Sequence, residues 1–136
     1  MSRRRPKNLI LIVARELASN LATPVFVVDA RGLVVFFNEP AEAMLGRTYP
    51  ETGEIPVEEW RALFAPERLD GTPLPLEELP SAIAFRERRP DHGTFTMEGP
   101  DGVRHEVAAT GLPLFARGRE FVGVVVIFWE HSAEAG

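Results

Sequence analysis

The sequence predicts an α+β fold: a five-stranded antiparallel sheet with helices on one face and an amphipathic helix ahead of it. Three observations carry this reading. Two strand-like segments lie near the start and three near the end, joined by short turns that contain glycine. Helical patterns fill the stretch between them, and strands grouped at both ends favour an antiparallel sheet over alternating βαβ units. The first and last strands are apolar at almost every position, so neither can have a wet face.

The chain opens on a basic tip, Arg3-Arg4-Arg5-Pro6-Lys7. A helix follows from about Lys7 to Leu21, with Ile10, Val13, Ala14, Leu17 and Leu21 on one stripe at helical spacing. Leu9, Leu11 and Ile12 lie off that stripe, so the first half of the helix is apolar nearly all round and is expected to be buried on more than one side. Packing on the sheet supplies one side, and a second copy of the chain is expected to supply the other. Ile10, Val13, Leu17 and Leu21 are the candidate dimer contacts. Arg15 and Glu16 cut the apolar run short of an export signal, and no run approaches the ~20 residues of a membrane span. The chain is expected to be cytoplasmic.

Pro24 to Asn38 reads as a hairpin: two apolar runs around Asp29-Ala30-Arg31-Gly32. Asp29 can bond nearby backbone groups in the turn and Gly32 can take positive φ. Asn38 is placed to cap a helix over Glu39 to Leu45, with Pro40 in the first turn and Gly46 as the stop. Arg47 to Pro56 reads as loop, and Val57 to Phe64 as a short helix carrying Trp60, Leu63 and Phe64.

Four prolines between Pro66 and Pro80 keep that stretch extended. A longer helix is expected from about Leu76 or Glu77 to Arg89, with Pro80 near its first turn and Leu79, Ala82 and Ile83 facing inward. Thr94 to Glu98 alternates as a strand should, and Gly99-Pro100-Asp101-Gly102 is a turn. Val103 to Ala109 returns and is prolonged irregularly through Phe115. After a turn at Ala116-Arg119, Phe121 to Trp129 is the last strand.

Two motifs resemble those of the PAS family of sensor and interaction modules. One is Asp29-x-x-Gly32, an apolar strand, then Asn38-x-x-Ala41-Glu42-x-x-Leu45-Gly46. The other is Asp70-Gly71-x-Pro73-Leu74-Pro75-x-Glu77-Glu78-Leu79-Pro80, similar to the segment ahead of the central helix in bacterial PAS domains. The resemblance implies a PAS domain over residues 22–130, with 1–21 as tip and dimerisation helix and 131–136 as a flexible tail. It also implies that the last strand lies beside the first. A pocket would lie between the sheet and the central helix, lined by Phe26, Val28, Ile83, Phe95, Met97, Val107, Ala109, Val125 and Ile127. That wall offers almost no hydrogen bonds. Either a small apolar ligand binds or side chains fill the space, and the filled core is preferred.

Composition narrows the function classes. No cysteine is present, which excludes disulfides, thiolate metal sites, Cys nucleophiles and cysteinyl-flavin photochemistry. The net charge of −5 argues against a general nucleic-acid surface, and the arginines at 86, 88 and 89 are explained by a helix end. Asp29, His92, His105 and Glu106 are the groups available for acid–base work, but no nucleophile elbow, phosphate loop or HExxH pattern accompanies them. No metal site is expected from three histidines. No cofactor is expected either: the PAS resemblance implies that a haem would take its axial His from the central helix, which has none, His92 lies just beyond it, and a non-covalent flavin has only Trp129 as a hint. The expected function is a non-catalytic bacterial signal-relay module that dimerises and passes a signal to a partner protein. A ligand or cofactor sensor is the alternative, and a small α+β enzyme a distant third.

Overall fold

The computed structural model describes residues 5–46, 48 and 53–130. The basic tip at residues 1–4 and the expected tail at 131–136 lie outside the described residues. Helix α1 (Arg5–Ser19) leads into the hairpin β1 (Val25–Asp29) and β2 (Leu33–Phe37), then α2 (Glu39–Leu45). A two-residue strand β3 (Ile55–Pro56) precedes α3 (Val57–Ala62). A 3₁₀ turn (Leu76–Glu78) and α4 (Pro80–Glu87) follow, then β4 (Asp91–Glu98), β5 (Arg104–Ala116) and β6 (Glu120–Glu130). The sheet order is β3-β2-β1-β6-β5-β4, antiparallel throughout. The last strand does pair with the first.

The hairpin turn forms by the expected chemistry. Asp29 Oδ1 accepts from the backbone N–H of Arg31 (2.9 Å) and Leu33 (3.2 Å), while Oδ2 takes the Arg31 guanidinium. Gly32 has φ +89°. The missing alternation in β2 has a cause: Val27 faces Phe36 but Val28 faces Val34, so Val35 is an extra, bulged residue. Val34 and Phe37 turn to the inner core, while Val35 and Phe36 both reach the outer face.

Asn38 joins three elements. Its Oδ1 accepts from Ala41 N at the start of α2 (3.1 Å) and from Val25 N at the start of β1 (2.9 Å). Its Nδ2 donates to the carbonyls of Ala18 (2.8 Å) and Thr23 (2.9 Å), at and beyond the end of α1. All of its amide capacity is used while it is almost wholly buried.

Several expectations are corrected. Among the described residues the sheet has six strands: Ile55–Pro56, expected as loop because two residues carry no periodicity, pair with β2 at the edge, where proline is tolerated. The expected helix from Leu76 is two pieces, because Pro80 forces Leu79 into an extended conformation (ψ 149°). Strand β4 starts at Asp91, so His92 lies in a strand and not in a loop.

Val125 and Ile127 face away from the expected pocket. Directly paired residues share a sheet face, and the inward Phe26 and Val28 oppose Val126 and Val124, whereas Val25 and Val27 oppose Ile127 and Val125. Ile83 is half-buried and outside the inner core cluster; Leu79 and Ala84 take that place. The reason is a close approach. A Cβ on Gly111 of β5 would lie 2.7 Å from the Pro80 carbonyl oxygen and 3.0 Å from Ala84 Cβ. Pro80 and Ala84, one turn apart, therefore face the sheet and rotate Ile83 off it.

Helices α2, α3 and α4 cover the inner face. Helix α1 covers the outer face, where Leu11 and Ala14 meet Val27, Leu33, Val35, Phe36, Leu114 and Val125. Ala18 is buried too, so the stripe on the sheet is Leu11, Ala14 and Ala18. The large residues point the other way: Val13, Leu17 and Leu21 are exposed, with Leu9 and Ile12 beside them, and Ile10 is half-buried.

Candidate functional site

Between the inner sheet face and helices α3 and α4 lies a cavity of about 30 Å³. Of the expected lining, Phe26, Phe95, Met97 and Ala109 reach it. Val28 and Val107 are buried in the same core without forming its wall, and Ile83, Val125 and Ile127 lie elsewhere. The rest of the wall comes from Phe64, Leu79, Pro80, Val126 and Phe128, together with Arg61 and Ser81.

Arg61 is the residue that sequence reasoning missed. It is only 7% exposed, and its Nε donates to Ser81 Oγ at 2.9 Å. Among the described residues it makes no ion pair. Burial pulls its pKa down to about 10, with Glu58 acting upward and Arg86 downward. A signal was present in the spacing. Val57, Trp60, Arg61 and Phe64 stand at i, i+3, i+4 and i+7, which puts Arg61 on the apolar stripe. Leu63, expected inward, is exposed instead.

Trp60 fills the centre of the inner core, its ring 4.7 Å from Phe37, 5.1 Å from Phe26 and 5.4 Å from Phe64. Its indole N–H is buried without a hydrogen-bond partner among the described residues. With this core in place the cavity has room for about two waters.

A second cleft, about 250 Å³, opens at the rim of the sheet between α2 and the β4–β5 turn. There His105 Nδ1 lies 2.9 Å from Glu130 Oε2, and Nε2 lies 3.5 Å from Asp101 Oδ1. The Glu130 bond, opposed by desolvation and aided by Asp101, holds the imidazole pKa above its ordinary value.

The acid–base candidates do not converge. Asp29 is committed to its turn. His92 Nδ1 is 2.7 Å from Thr110 Oγ1, and its ring packs by Trp129. His105 pairs with Met97, five residues along β4 from His92, or roughly 16 Å away. Glu106 is beside His105 on the opposite parity of β5. The arginines after the central helix are also accounted for. Arg86 and Arg89 pair with Glu87, and Arg89 also with Asp91. Arg88 (φ 58°) ends α4 and lays its guanidinium 3.6 Å over the Phe121 ring. No group of three or more His, Asp or Glu able to hold a metal occurs among the described residues.

Comparison with known proteins gives a consistent answer. The model of the PAS fold family matches residues 14–59. No curated protein sequence matches. Among solved structures, the PAS domain of BvgS from Bordetella pertussis superposes with TM-score 0.65 at 17% identity, over 92% of this chain and 88% of that one. A PAS domain from Colwellia psychrerythraea gives 0.63 at 17% identity, over 90% and 97%. The Vibrio cholerae VqmA dimer gives 0.52 at 14% identity, and there the likeness spans 87% of this chain but 51% of the other. Strand order, the covered inner face and these superpositions agree, and the chain is folded as a PAS domain.

Proposed function

We propose that the chain is a non-catalytic signal-relay module of a bacterial cytoplasmic sensor, acting as a homodimer through α1 and passing its signal to a second protein. The observation that carries this reading is the inverted face of α1. Its small residues, Ala14 and Ala18, lie on the sheet, while Leu17 is 63% exposed and Leu9, Ile12 and Val13 are exposed with it, as is Leu21 just past the helix end. An apolar surface of this kind on a helix is the usual mark of a protein contact. The VqmA structure that shares the fold is described as a dimer. A second copy of α1 is the simplest matching surface, because it offers the same apolar residues.

Asn38 supports the relay. It binds the last turn of α1 to both β1 and α2, so a shift of α1 against its twin strains the hydrogen bonds that hold the inner layer. The separation of the acid–base candidates supports a non-catalytic role. Light scattering at micromolar concentration tests the reading. A dimer is expected, and the double variant Val13→Ser, Leu17→Ser should be monomeric. A wild-type protein that stays strictly monomeric would sink the proposal.

A further inference from the structure

Where α4 ends beside the β5–β6 turn, Phe85, Phe115 and Phe121 form a half-buried ring cluster, the first two with centroids 5.3 Å and 6.1 Å from the third. Two guanidiniums lie on it. Arg88 Cζ is 3.6 Å from the Phe121 centroid, and Arg119 Cζ is 5.5 Å from that of Phe115. Both arginines occupy backbone sites that suit glycine or asparagine. Arg88 is the left-handed residue that ends α4 (φ 58°), and Arg119 follows Gly118 in the turn with φ 64°. Among the described residues the one other non-glycine at positive φ is Ala65. The chain thus accepts backbone strain twice to place a cation on the same cluster, where glycine would make both turns without it. Covering the rings accounts for the arginine stems, not for their charge. Arg117 adds a third exposed guanidinium in the same turn. Among the described residues Arg88, Arg117 and Arg119 make no ion pair, although the chain carries a net charge of −5. Arg86 and Arg89, by contrast, are matched by Glu87.

We propose that this ring-backed cationic surface docks an acidic segment of the second protein, resting on the relay reading for that partner's role. A guanidinium stacked on a ring keeps its in-plane N–H fork for a carboxylate. Carboxylates of the segment take the forks of Arg88, Arg117 and Arg119, and apolar side chains between them meet the partly exposed rings. Charge complementarity selects this occupant. A nucleic acid fits less well. Guanidiniums already cap the ring faces on which bases would stack, Glu87 and Glu120 adjoin the arginines in sequence, and the net charge of −5 repels a long polyanion. The surface is also clear of α1. Phe85 and Phe121 pack against the inner core, whereas α1 lies on the outer face. A twin on α1 and a partner on the arginines can therefore be held at once.

The probe is a fluorescein-labelled peptide of three Glu-Leu-Glu-Gly repeats. Fluorescence anisotropy should show saturable binding that weakens with salt, and the ring NMR signals of Phe115 and Phe121 should shift on titration. The double variant Arg88→Gly, Arg119→Gly keeps both turns and should still melt cooperatively. Its affinity for the peptide should fall at least about tenfold. Arg117→Gln, a change at an exposed side chain, should weaken binding about threefold. If the double variant does not fold, Arg117→Gln and the ring signals decide. The proposal is overturned if the peptide leaves Phe115 and Phe121 unmoved, if the arginine variants bind it as wild type does, or if a peptide with Gln for every Glu, or a short DNA duplex, binds as tightly. Light scattering reads the dimer separately. A monomer that binds the peptide ends the dimer and keeps this surface, and a dimer that does not bind it does the reverse.

Discussion

The two faces of the sheet are closed by opposite means. On the inner face, bulk does the sealing: Trp60, Phe26, Phe37, Phe64 and Phe128 interlock at ring-centroid distances of 4.7–5.8 Å. On the outer face a single helix lies down on alanines and Leu11, and its large side chains look outward. The inner layer is therefore where the fold keeps its stability. The outer layer is a thin cover whose apolar capacity remains available for contact.

The sharpest way to break this contrast is Trp60→Ala, which should cost about 3–5 kcal/mol in urea unfolding. Trp60→Phe should cost far less, because it also removes a buried N–H that has no partner among the described residues. Next comes the joint between the layers. Asn38→Ala removes the α2 cap and strands the Ala18 and Thr23 carbonyls, for a loss of about 2–4 kcal/mol. Asn38→Asp should lie between, keeping the cap but offering no donor. Leu17→Ser should fall within about 0.5 kcal/mol of wild type when both are measured as monomers. A larger loss would mean that Leu17 carries the outer layer and that the two faces are not so different.

The smallest effect is a pH dependence at the rim. The folded pKa of His105 is raised above 6.5 by Glu130 and Asp101. Its contribution to stability is fully present below the unfolded value of 6.5 and is lost as pH rises through the raised folded value. The group is exposed enough that the effect should be slight. Melting temperatures measured across that window should decline less in His105→Gln than in wild type.

Local chemistry was legible in the sequence where one residue had one task. Asp29 and Gly32 announced their turn, and Asn38 and Gly46 announced the ends of α2. What was not legible required knowing which of two equivalent faces pointed in. In β6 every position from Val124 to Phe128 is apolar, so only pairing with β1 shows that Val124, Val126 and Phe128 are inward. In α1 the larger residues looked like the buried stripe, but the flat outer face of β1 and β6 accepts alanine. Arg61 escaped notice because a charged residue on a short helix is normally solvated, and the apolar spacing around it was outweighed by its type.

The bare backbone of Gly111 reaches beyond its own strand. Helix α4 rests there with nothing between, so the distance from roof to floor of the cavity is fixed by an atom that is missing. A single methyl at that position would wedge the helix upward and enlarge the chamber without altering any residue on its wall.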